Sequence, residues 1–148
     1  MRQEIYDVIG NVKVGCLATI TADGSPWITP LHIAIDENTC YWLSSPQAEH
    51  SQNIRRNDRV SISIWSPDES EGLRGVYINS TARQLEGAED QVARSVYQNQ
   101  LGQLLYKKLS ELTMYSAVIG ELNTRKTVDN CKYFNSDKTL QVAYNKKE

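Results

Sequence analysis

The chain has no excess of charge of either sign: among 148 residues, 16 basic side chains stand against 18 acidic ones, a formal −2. Such a balance gives no general attraction to nucleic acid or to an anionic membrane surface. No apolar run approaches the roughly 20 residues that span a bilayer. The first ten residues carry Arg2, Glu4 and Asp7 and lack the apolar core of a signal peptide, so the expected location is the cytoplasm. Cysteine is scarce. Cys16, Cys40 and Cys131 are odd in number, widely spaced and without a CxxC pair. That pattern excludes a zinc cluster and reads as small buried hydrophobes in a reducing compartment. No linker, repeat or low-complexity stretch divides the chain, and its length suffices for one real core. Residues 1–148 are therefore expected to form a single domain. A catalytic triad or carboxylate dyad signature is missing as well.

What the chain does have is alternation. Arg2 to Asn11 reads as a short helix, and period-two segments follow. In the first, Val14, Cys16, Ala18 and Ile20 face one way, opposite Leu17 and Thr19. Ala22-Asp23-Gly24-Ser25 is a turn that should pair this strand with the next in a hairpin. There Trp27, Thr29, Leu31, Ile33 and Ile35 share a face, and Pro30 marks an edge, a bulge or an opening, because it removes a ladder donor. Further strands are expected at Cys40–Leu43, Arg59–Trp65, Arg74–Leu85, Tyr115–Leu122, Thr127–Phe134 and Leu140–Tyr144. Glu89–Leu112 reads as a helix with a break near Gly102. The class is α+β, built mainly on an antiparallel sheet that curls or closes.

The segment with most chemical content runs from Tyr41 to Arg56. An apolar strand ends in Ser44, Ser45 and Pro46, and a polar helix carrying His50, Arg55 and Arg56 follows, with Ser45 as N-cap and Pro46 at the first helical position. The unpaired N–H groups and positive dipole end of a helix N-terminus suit an anion, and the flanking hydroxyls and histidine suit a phosphate.

Taken in order, Cys16-Leu17-Ala18-Thr19-Ile20, Asp23-Gly24-Ser25-Pro26 with Pro30, Tyr41 to Ser45, His50 to Val60, and Arg74-Gly75-Val76-Tyr77-Ile78 with Ala82 and Arg83 resemble the pyridoxamine 5′-phosphate oxidase-like superfamily of flavin-binding split β-barrels. The resemblance covers Gly15 to Leu85. It implies a six-stranded split barrel with flanking helices, a homodimer, and FMN in clefts between subunits. It makes Ser44, Ser45, His50 and Ser51 phosphate-side candidates. Trp27, Ile28, Thr29 and Pro30 become candidates along the isoalloxazine and ribityl side. Asn53, Arg55 and Arg56 also match the motif.

Two departures matter. His50 stands where many members place a lysine, and the tail Ala143 to Glu148 lacks the Arg-Leu-x-Pro type ending of the biosynthetic oxidases. The implied function is an FMN-dependent oxidoreductase that acts on an unidentified small molecule and takes electrons from a nicotinamide reductant. The competing reading is a non-catalytic flavin- or nucleotide-binding carrier or sensor. A deazaflavin is an alternative cofactor. Haem would need His32 or His50 as axial ligand.

Overall fold

The computed structural model describes residues 7, 8, 10, 12–66, 68, 70, 74–102, 109–119, 131–135 and 138–144. Of the N-terminal helix expected over Arg2–Asn11, residues 7, 8 and 10 are described, and these are helical. The expected turn after Asn135 and the C-terminal tail from 145 lie outside the described residues.

Among the described residues, and after the helical residues near the N-terminus, nine strands and two α-helices follow in the order β1 (Val14–Ile20), β2 (Pro26–His32), β3 (Ala34–Asp36), β4 (Thr39–Ser44), α1 (Glu49–Arg56), β5 (Arg59–Trp65), β6 (Arg74–Gln84), α2 (Gly87–Leu101), β7 (Thr113–Val118), β8 (Cys131–Asn135) and β9 (Lys138–Tyr144), and the strands pair antiparallel. The sheet order is β2-β1-β5-β6-β7-β4-β3, and β8 branches off β6 to carry β9. Strand β6 makes this curl possible because it is long enough to serve two half-sheets. Residues 75–81 pair with β5, and residues 82–84 pair with β7. This is the α+β, mainly antiparallel split-barrel class that the sequence implied. The strand count exceeds six because the C-terminal hairpin adds two strands and one expected strand is divided.

That division falls at Ile33. The expected strand from Trp27 to Ile35 pairs with β1 as far as His32, where the Ile33 N–H donates to the Lys13 carbonyl (2.8 Å). The chain then bends and pairs with β4 from Ala34 onward. Ile33 and Ala34 are both buried, which alternation forbids in a straight strand and a bend permits. Gly15 makes room for the bend, since a Cβ there would stand 2.8 Å from Ile33 Cδ1 and 3.0 Å from Ile64 Cγ1. The β1–β2 turn uses Gly24 at φ +87. Asp23, bonded by Thr21 and by Ser25, has its carboxyl held at about 2.

Two apolar clusters result. Leu17, Trp42, Ile62, Ile64, Val76, Ile78 and Tyr115 fill the inside of the curl. Trp42 lies opposite Tyr115 across the β4–β7 ladder, with ring centroids 6.0 Å apart. The second cluster, Ala34, Leu43, Leu85, Ala93, Tyr97, Leu101 and Met114, seats α2. Helix α2 stops at Leu101, with Gly102 at φ +68, so the expected break near Gly102 ends the helix there. The continuation expected beyond it over 103–108 lies outside the described residues. Among the described residues, no helix is long and apolar enough to cross a membrane.

Helix α2 also closes one sheet edge. The Gln100 side-chain amide pairs with both backbone groups of Ile35: Oε1 accepts the Ile35 N–H (2.8 Å) and Nε2 donates to the Ile35 carbonyl (2.5 Å). An edge that would otherwise template a foreign strand is thereby capped. Gln100→Ala is expected to lower stability by about 1–3 kcal/mol in urea unfolding and to increase concentration-dependent self-association in light scattering.

Candidate functional site

Strand β4 delivers Ser44 to the start of a tight turn. The Gln47 N–H donates to Ser45 Oγ (3.2 Å), and the Ala48 N–H donates to the Ser45 carbonyl (3.1 Å). Ser45 is therefore spent on its own turn, and the helix begins later than expected. Ala48, not Ser45, is the N-cap, and Pro46 lies in the turn rather than at the first helical position. Alanine has no side-chain acceptor, so the N-cap residue makes no side-chain bond to the first-turn N–H groups of α1.

The face that α1 turns inward is mostly polar: His50, Ser51, Asn53 and Ile54 are buried. Such a face is held by hydrogen bonds, because buried polar groups are costly unless paired. His50 Nε2 and Ser44 Oγ share a hydrogen bond of 2.7 Å. Asn53 Nδ2 donates to Thr19 Oγ1 (3.0 Å), and Arg56 Nη2 donates to Asn53 Oδ1 (2.7 Å). Arg56 also stands 3.8 Å from Glu49. One group on this face is left over: Ser51 Oγ is fully buried and has no partner among the described residues. Burial holds the His50 imidazole below its ordinary value of 6.5, so at neutral pH it is uncharged here. A phosphate entering this place would have to displace the Ser44–His50 bond, and would meet a neutral imidazole first.

The residues of β2 divide between two faces. Trp27 lies opposite Thr19, and Thr29 opposite Leu17, on the side where α1 packs; the Trp27 indole N–H donates to Thr29 Oγ1 (3.0 Å). Ile28 and Pro30 lie opposite Ala18 and Cys16 on the other face, and Ile28 is 66% exposed. Their side chains therefore cannot all meet one ligand. The backbone offers something else. Thr21 bonds Ser25 and Ile33 bonds Lys13, which makes odd-numbered residues of β2 the ones bonded to β1. The even-numbered residues 26, 28, 30 and 32 direct their backbone groups away from the sheet. Pro26 and Pro30 have no N–H, so between them Ile28 alone presents both an N–H and a carbonyl. Among the described residues, β2 pairs with β1 alone, so this edge is open.

Helix α1 packs on β1 and touches β2. The structure thus brings Ser44 and His50 into contact and sets Ser51 beside them on α1, a helix that touches β2, the strand of Trp27 and Thr29. It leaves Ser45 in its own turn, and Ile28 and Pro30 turn their side chains to the other face and their backbone to the free edge of β2. Sequence reading passed over Thr19 and gave Asn53 no definite role, although together they fasten the helix. The available signal was a threonine on the inward side of the first strand and an asparagine three residues after His50. Arg55 is exposed. Among the described residues, no group of three or more His, Cys, Asp or Glu could hold a metal.

The sequence profile described as Pyridoxamine 5′-phosphate oxidase matches residues 1–126. No curated protein matches the chain. Solved structures share its fold. A heme binding protein from Mycobacterium smegmatis has 19% identity and a TM-score of 0.74, covering 95% of this chain and 57% of its own. A FAD-binding protein from Mesorhizobium loti has 20% identity and a TM-score of 0.68 over 82% of this chain and 91% of its own. An F420 reductase has 16% identity and a TM-score of 0.64 over 80% and 92%. This chain thus spans little more than half of the Mycobacterium smegmatis protein.

The burial of His50 sets a pH dependence. Its folded-state pKa lies below 6.5, so the unfolded chain takes the proton first; the stability is fully present above 6.5 and is lost as pH falls toward the folded value. Urea midpoints at pH 7.5 and 5.5 are expected to differ less for His50→Gln than for the wild-type chain. Asn53→Ala, which strands Thr19 and Arg56, is expected to cost about 1–3 kcal/mol by the same measurement at pH 7.5.

Proposed function

The chain belongs to the pyridoxamine 5′-phosphate oxidase family, and on that premise we propose that it is a cytoplasmic FMN-binding protein acting as an oxidoreductase on a small molecule, with a nicotinamide as reductant. The observation that carries this reading is the lone N–H and carbonyl of Ile28, set between two prolines on an open edge of a strand that α1 touches. The fold already contains an amide paired with both backbone groups of one edge residue, Gln100 on Ile35. The pyrimidine end of a flavin carries the same N–H and C=O side by side. Pro26 and Pro30 deny a polypeptide strand the regular ladder it needs, while leaving room for a ring that needs one residue.

The residues that would hold the cofactor are Ile28 and Pro30 through backbone, Trp27 and Thr29 at the ring and ribityl side, and Ser44, His50 and Ser51 at the phosphate. The buried Ser51 Oγ, without a partner among the described residues, supports that last assignment. When bound, a flavin supplies hydride or electron transfer, and the protein has to bind, orient and exclude water. Ile28 would fix the plane of the ring, and the Trp27 indole, tethered to Thr29, would cover part of it. His50 enters this site neutral, and a phosphate dianion would raise its pKa, so binding should weaken as the pH becomes alkaline.

A deazaflavin in place of FMN is the second reading, favoured by an F420 reductase among proteins of this fold. Haem is less well served, because His50 is buried against Ser44 and His32 lies on the opposite face of the sheet. A carrier or sensor without turnover is the reading that remains if flavin binds and is never reduced.

We also propose a homodimer. On the outward face of β1, β5 and β6, Val14, Trp65 and Tyr77 are each between 42% and 47% exposed at one end of the sheet. A second copy would cover them, as a contiguous apolar patch on a monomer otherwise invites association.

Purified protein is expected to show flavin absorbance, or to acquire it on adding FMN, and to be bleached by NADH or NADPH without oxygen; a protein that ignores FMN would exclude the flavin reading. Ile28→Pro removes one outward N–H that has no ladder partner. It should leave the fold intact and weaken FMN about tenfold, roughly 1.4 kcal/mol. Tyr77→Arg should shift the molar mass in light scattering from dimer toward monomer.

A further inference from the structure

The barrel has a second opening, on the side of β1 away from the β2 edge. Strands β1 and β5 pair at Cys16↔Ser63, Leu17↔Ile62 and Ala18↔Ser61, and there the ladder stops. The same register would have set Thr19 against Val60 and Ile20 against Arg59. Instead the strands part, and the gap is a cleft of about 520 Å³ bounded by β1, the first residue of β2, β5 and β6. That volume lies within the usual range of small-molecule sites, about 300–1,000 Å³.

The lining has a consistent chemistry. Its apolar part is Ala18, Ile20, Pro26 and Val60. Its one charged residue is Arg59, and no carboxylate lines it. The Arg59 guanidinium has no ion pair among the described residues, while the Arg59 backbone N–H is fixed by Asn57 Oδ1 (3.2 Å). On the facing strand, Asn79 Oδ1 accepts the Ser61 hydroxyl (2.6 Å), which orients the Asn79 amide and leaves its N–H₂ end to donate. Thr81 lies directly across the ladder from Arg59 and adds a hydroxyl. An unpaired guanidinium, an oriented amide donor and a hydroxyl above an apolar floor are the parts that bind an anionic head on an apolar body.

We propose that this cleft is a ligand site for a small organic anion, an apolar body bearing a single carboxylate or phosphate, with Arg59 as the anchor. Its polar anchors are not those of the Ser44–His50 site: Arg59, Asn79 and Thr81 lie on β5 and β6, while Thr19 and Pro26, which also line the cleft, belong to the strands that carry the proposed flavin site.

The test is titration of the full-length protein with benzoate, phenyl phosphate and the neutral benzamide, followed by backbone amide shifts. Benzoate or phenyl phosphate, or both, should shift Ile20, Arg59 and Thr81 in a saturable way, and which of them binds tighter identifies the head group. Benzamide should bind at least tenfold more weakly. Arg59→Gln, a change at an exposed position, should weaken the anion tenfold or more. Asn79→Asp, nearly the same in shape and opposite in charge, should do the same. Saturating FMN should leave the titration unchanged. Equal affinity for benzamide, no loss in either variant, shifts confined to α1, or displacement by FMN would each overturn the proposal.

Discussion

The hydrogen bond from Asn53 to Thr19 is the point on which the geometry of the candidate site turns. It is fully buried and joins the middle of α1 to the inward side of β1. Helix α1 is short and polar, with little apolar surface to hold it in place, so its position is set by direction-specific bonds rather than by area. Once Asn53 is fixed, His50 and Ser51 follow by helical geometry, and His50 meets Ser44 at the end of β4. Arg56 closes the arrangement from outside by bonding the same asparagine.

Strand β6 does for the sheet what Asn53 does for the helix. By pairing with β5 along most of its length and with β7 at its end, it forces the sheet to fold over its own core. Two of the sheet's edges are finished differently. At β3 the edge is capped by a side-chain amide from α2. At β2 it is left open but loses the outward donors of residues 26 and 30 to proline, an arrangement that discourages strand addition while keeping the Ile28 backbone pair available between them.

Much of this was legible in the sequence, for reasons that differ from element to element. Arg59–Trp65 has the bounds expected of it, because Val60, Ile62 and Ile64 alternate cleanly with polar residues. The β1–β2 hairpin was legible because Asp-Gly with flanking hydroxyls has few other uses. The bend at Ile33 was hidden, since four apolar residues and a threonine in period-two register look like one strand, and only the room left by Gly15 tells otherwise. The start of α1 was misplaced because Ser-Pro is a strong N-terminal signal and also a strong turn signal, and here the turn wins. His50 was legible as a residue of interest. Its neutral state was not, because that depends on burial, which periodicity alone does not settle for a histidine.

The amide of Gln100 on Ile35 also bears on the order of events in folding. The two residues are separated by 65 positions, so the cap forms only after α2 has docked on its apolar bed. The hairpin β1–β2 and the ladder β3–β4 are local by comparison and can form earlier. During the interval, β3 carries bare backbone groups with no proline to protect them, unlike β2. Docking of α2 thus ends the stage at which the growing sheet is most open to intermolecular pairing, and conditions that slow that docking prolong the exposure.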